Sequence, residues 1–122
     1  MPGKKYDLSN IRAIAGGHEP FVNHRTATFI RDTIPMVLKI RSAVRENNIE
    51  DLLRLVAGIQ PSLNDFQIHD ALRVLPRIER LVISQHEKGE LTALVDELTG
   101  KVFGVIRDMQ RDNRLQQKPP TQ

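Results

Sequence analysis

Between residues 48 and 68, apolar side chains return every three or four positions, at Leu52, Val56, Ile59, Leu63 and Phe66. This spacing places them on one face of an α-helix. The same period recurs on both sides. Val22, Phe29, Thr33, Val37, Ile40 and Val44 predict a helix over about residues 19–46. Ile68, Leu72, Leu75, Ile78 and Val82 predict one over about 68–86. Leu91, Leu94, Val95, Leu98, Val102, Val105, Ile106 and Met109 predict another over about 90–113. The central helix spans 49 to about 65, and a short one spans 8–15. No segment shows the period-two alternation of a strand.

Punctuation between these stripes is local. Asp7 is placed to cap the first helix, and Gly16-Gly17 to end it. Asn47-Asn48 fits a turn, because Asn tolerates the left-handed conformation and Asn48 can cap the next helix. Lys88-Gly89 is expected to stop the fourth helix. Pro35 falls inside the second helix and Pro76 inside the fourth; each lacks an amide hydrogen, so a bend or break is expected there. Gly100 and Gly104 lie inside the last helix, spaced to allow either close approach of a neighbouring helix or simple tolerance. Short turns make successive helices antiparallel neighbours. The expected fold is all-α: an antiparallel up-down-up-down four-helix bundle over residues 6–113, with a short N-terminal helix. Residues 1–5 and 114–122 are expected to be flexible tails.

Composition narrows the chemistry. The chain of 122 residues fits one domain, and such a chain buries about two-thirds of its unfolded surface. Only Tyr6 and four phenylalanines are aromatic, so the core must be aliphatic. The absence of cysteine excludes disulfides, thiolate chemistry and cysteine zinc sites. No apolar run reaches the roughly 18 residues of a membrane span, and the first residues lack the apolar centre of a signal peptide. A cytoplasmic location is therefore expected. The formal charge of +3 comes from interleaved acids and bases, as in Arg31-Asp32, which describes a solvated surface better than a nucleic-acid footprint.

Ala57 lies about 140° around the central helix from Leu52, outside the apolar stripe, with Gln60, Pro61 and Asn64 beside it. The four histidines, His18, His24, His69 and His86, have no metal-binding spacing, and no metal or cofactor is expected. His18, His24 and His86 are expected at surface or capping positions, and His69 faces a different part of the surface from Ala57. Acid pairs such as Glu50-Asp51 and Asp96-Glu97 fit solvated faces or first-turn acids. Gly16-Gly17 lacks the strand and lysine of a phosphate loop. Arg73, Arg77 and Arg80 line one face of the fourth helix. With Arg41, Arg45 and Arg54 they offer either a solubilising surface or a basic face near the central helix.

Several of these segments resemble a known family. Tyr6-Asp7-Leu8-Ser9, then Ala15-Gly16-Gly17-His18-Glu19-Pro20-Phe21-Val22, then Phe29-Ile30-Arg31-Asp32-Thr33-Ile34-Pro35, then Glu46-Asn47-Asn48-Ile49-Glu50-Asp51-Leu52 are similar, in order and spacing, to histidine-containing phosphotransfer (HPt) domains of multistep bacterial phosphorelays. The resemblance covers residues 6–112, nearly the whole predicted bundle. In that family the central helix carries a nucleophilic histidine, a lysine three positions on, and glycine or proline at the fourth. Leu55-Val56-Ala57-Gly58-Ile59-Gln60-Pro61-Ser62-Leu63 keeps the apolar frame and the proline, but sets Ala57 at the histidine position and Gln60 at the lysine position. Alanine has no lone pair to offer, so the site cannot accept a phosphoryl group. The resemblance implies a degenerate, non-enzymatic HPt-like domain. It would bind a receiver (response-regulator) domain or a hybrid histidine kinase through Ala57, Gln60, Pro61, Asn64 and Arg54. The alternatives are a helical interaction scaffold outside any phosphorelay, or a weakly basic nucleic-acid-binding bundle. The nucleic-acid reading lacks the aromatic stacking platforms that single strands use.

Overall fold

The computed structural model describes residues 5–84 and 88–116. These form five helices: α1 (Ser9–Ala15), α2 (Glu19–Arg45), α3 (Ile49–Asp65), α4 (His69–Ile83) and α5 (Lys88–Gln116). No strand occurs among the described residues, so the fold is all-α. Helix α2 packs on α3 and α5, α4 also packs on α3 and α5, and α1 lies against α2. The four long helices thus form a closed cycle of neighbours around one core.

The predicted stripes build that core. Every apolar position anticipated on α2, α3 and α5 is buried. Leu52, Ile59 and Leu63 of α3 are fully enclosed, and each such side chain contributes about 2 kcal/mol relative to an exposed one. The Phe66 ring meets Phe29 at a centroid distance of 4.6 Å and a tilt of 39°, and so joins the end of α3 to α2. Arg25 reaches Asp65 at 3.3 Å on the rim of the same junction. On α4 the buried face is shifted. Ala71 and Val74 are enclosed with Leu75 and Ile78, while Leu72 and Val82 are only half-buried.

Helix boundaries reflect local chemistry. Asp7 stands one residue before the N-cap position, which Leu8 occupies, yet its carboxylate accepts the Ser9 amide at 2.8 Å and the Ser9 hydroxyl at 2.5 Å. These bonds stabilise the ionised carboxyl and hold its pKa below the usual range. Gly16 ends α1 at φ 60°, in the left-handed region. Asn47 has φ 58°, and Asn48 caps α3 by accepting the Asp51 amide at 3.1 Å.

Two expectations need correction. Of the bend or break expected at the prolines, a break is excluded: α2 continues from Glu19 to Arg45 through Pro35, and α4 from His69 to Ile83 through Pro76. Both prolines are exposed, so neither ring intrudes on the core. Lys88-Gly89 does not terminate α4 but begins α5. Glycine in a helix costs about 1 kcal/mol against alanine, and Glu90 in the first turn offsets part of this by facing the positive end of the helix dipole. Helix α4 instead ends at Ile83, where the Ser84 amide and hydroxyl both donate to the Arg80 carbonyl. His86 lies outside the described residues. Of the two readings open for Gly100 and Gly104, simple tolerance holds. A β-carbon at Gly100 would meet nothing within 4 Å, and one at Gly104 only the Lys5 ammonium at 4.0 Å. No neighbouring helix demands these glycines.

Residues just before α1 fasten one end of the bundle. The Asp7 amide donates to the Phe66 carbonyl at 2.9 Å, and the buried Tyr6 hydroxyl donates to Asp112 at 2.5 Å. This segment therefore ties the α3–α4 junction to α5. Burial raises the pKa of the Tyr6 phenol, and the hydrogen bond and negative charge of Asp112 raise it further. The neutral phenol is thus favoured by folding. Its contribution is complete below the ordinary phenol pKa of about 10 and declines as pH rises toward the higher folded-state value. Tyr6→Phe should cost about 1.5 kcal/mol at neutral pH. In urea unfolding the gap between wild type and variant should narrow above about pH 10; a gap independent of pH would exclude the Tyr6–Asp112 bond as its origin.

Candidate functional site

The rotation of α3 decides what its outer face can do. With Leu52, Val56, Ile59 and Leu63 in the core, Ala57, Gln60, Pro61, Asn64 and Arg54 are all exposed. Gly58 is exposed as well, and a β-carbon there would meet nothing within 4 Å. The centre of the face is therefore low, with a methyl group, a bare α-carbon and a pyrrolidine ring where longer side chains could stand.

Charge on this face is nearly cancelled. The Arg54 guanidinium is held by Asp51, one turn earlier, with its Nε at 3.1 Å. Asp65 is engaged by Arg25. Gln60 and Asn64 offer amides, which donate and accept but are not nucleophiles. Nothing at Ala57, Gln60, Pro61 or Asn64 could form a covalent phosphoryl intermediate.

Backbone chemistry adds a feature that side-chain reasoning missed. The helical partner of the Ala57 carbonyl would be the amide of residue 61, and residue 61 is proline. Pro61 thus removes the usual donor from the carbonyl at the centre of the exposed face. Counting back four residues from Pro61 in the sequence would have located this acceptor.

The other histidines are elsewhere. His69 is the first residue of α4 and is exposed. It lies four residues beyond Asp65, the last residue of α3. The rise along α3 from Ala57 to Asp65 alone is about 12 Å. His18 occupies the N-cap position of α2 without a side-chain capping bond, and His24 is exposed. No metal-binding cluster of His, Asp and Glu occurs among the described residues. No helix among them is long and apolar enough to cross a membrane.

Of the two readings left open for the arginine row, a solubilising surface or a basic face near the central helix, its placement bears on the second. Arg77 pairs with Glu97 of α5 at 3.1 Å, and Arg73 with Asp70 on its own helix. Arg73, Arg77 and Arg80 line depressions shared with α5, and no α3 residue lines them. The neutral α3 face and the arginine row are therefore separate surfaces.

Gly58→Ala offers a direct check on this geometry. The added methyl enters open space on a helix, so stability should rise by about 0.5–1 kcal/mol, measurable by thermal or urea unfolding. A fall in stability would show that the backbone at Gly58 departs from regular helix.

Comparison of the chain with protein-family models, curated proteins and solved structures gave no match.

Proposed function

We propose that the chain is a degenerate HPt-like domain, an up-down-up-down four-helix bundle with a short N-terminal helix. In this reading it works in the cytoplasm and binds receiver or histidine-kinase partners through its α3 face without carrying phosphate. The observation that carries the reading is the exposed Ala57–Gln60–Pro61–Asn64 face. The frame around it, residues 55–63, resembles a phosphotransfer site in which histidine and lysine have become Ala57 and Gln60. The low relief at Ala57 and Gly58 leaves room for a partner.

Phosphotransfer would require an imidazole nitrogen to attack the phosphorus of an aspartyl phosphate as the bond to the carboxylate oxygen breaks. Ala57 supplies no such nitrogen. Incubating the protein with receiver domains from the same organism, radiolabelled on their aspartates, should leave it unlabelled. Label on any histidine of the wild-type chain would contradict the proposal. The double variant Ala57→His with Gln60→Lys should accept label, because both positions are exposed and neither substitution enters the core. A folded double variant that binds a labelled receiver yet stays unlabelled would show that the face has diverged beyond those two residues.

A further inference from the structure

A second surface, independent of the α3 face, runs between α4 and α5. Three depressions there share their walls. One of about 610 Å³ and one of about 440 Å³ share Arg77, Arg80 and Glu97. The second also shares Asp70, Glu97 and Lys101 with a third of about 380 Å³. Together they form one open groove reaching from Ser84 to Asp70 along α4, roughly 21 Å at the helical rise. That length suits about fourteen residues of helix.

The two walls differ in charge. The α4 wall presents Arg73, Arg77 and Arg80, spaced four and three residues apart, so they form a row along one edge. The α5 wall presents Glu90 at one end, Glu97 in all three depressions, and Asp96 and Lys101 toward the other end, where Asp70 of α4 also lines the groove. Leu81, Ala93 and Leu94 supply apolar lining, and Ile83 in the last turn of α4 is left 77% exposed. Arg80 has no acidic partner among the described residues. Among the described residues Arg73 and Arg77 are held by solvent-exposed ion pairs, which contribute little to stability. Such pairs exchange readily for a better-placed acid.

We infer that this groove docks an amphipathic helix of another protein, with acidic residues at three- and four-residue spacing along the edge that meets Arg73, Arg77 and Arg80, and apolar residues over Leu81, Ala93 and Leu94. Helix-in-groove recognition reads this pattern of anchors. The acids belong on the α4-facing edge of the partner, because Glu90 and Glu97 would repel them from the other.

The probe is a phage-displayed library of amphipathic helices of about fourteen residues, with the flanking polar positions randomised, selected on the full chain. Enriched peptides should carry acids along one edge. They should bind Arg77→Gln/Arg80→Gln at least tenfold more weakly by fluorescence anisotropy, and lose affinity with added salt. They should bind Ala57→Arg, altered only on the α3 face, as they bind wild type. The inference is overturned if no peptide is enriched, if enriched peptides lack the acidic edge, or if the arginine variant binds them unchanged while its circular dichroism remains helical. Self-association that the peptides compete away, seen by sedimentation, would assign the groove to a second copy of the chain and overturn it too.

Discussion

Burial of one stripe of α3 sets the rotation of that helix, and the character of its exposed face depends on that rotation. Leu52, Val56, Ile59 and Leu63 must leave water together, and Phe66 locks the end of the stripe against Phe29. A helix turned to expose Leu52 would forfeit about 2 kcal/mol for that side chain alone. The consequence on the opposite side is forced: Ala57, Gly58 and Pro61 face solvent. The Phe66 junction also receives the Asp7 amide and lies beside the Arg25–Asp65 pair, so α2, α3 and the segment before α1 converge there.

Two surfaces of different chemistry result from the same ring of helices. The α3 face is low and nearly neutral. The α4–α5 groove is longer, charged along both walls, and apolar at one end. A small helical domain can thus present two independent surfaces, because each long helix buries only one stripe and packs on two of the other long helices.

Much of the fold was legible in the sequence, because helical periodicity reports burial directly. The stripes on α2, α3 and α5, the Gly16-Gly17 stop, the left-handed Asn47 and the Asn48 cap are all written in local residue types. What escaped depended on environment. Pro35 satisfies the local rule for a helix break, yet the buried stripe from Val22 to Val44 holds α2 continuous through it. Gly89 satisfies the same local rule as a helix stop, yet the stripe beginning at Leu91 and the acid at Glu90 draw it into α5. The burial of Ala71 and Val74 depends on where α3 and α5 press on α4. The exposure of the Ala57 face followed from the period, but the partners of Arg54 and the turn of Arg77 toward Glu97 are three-dimensional facts. That the Ala57 carbonyl lacks its usual helical donor was legible in principle, since it requires only the four-residue step from Pro61.

In the proposed function, α3 presents a partner-binding face that has lost its reaction and kept its recognition. Amide chemical-shift mapping is the decisive measurement, with isotope-labelled protein titrated with receiver domains from the same organism held in the phosphorylated form by beryllofluoride. At least one receiver should shift a contiguous set of α3 amides centred on Ala57, Gly58, Gln60 and Asn64, while the α4–α5 groove stays unperturbed. No shifts with any receiver, or shifts confined to α4 and α5, would contradict the proposed recognition.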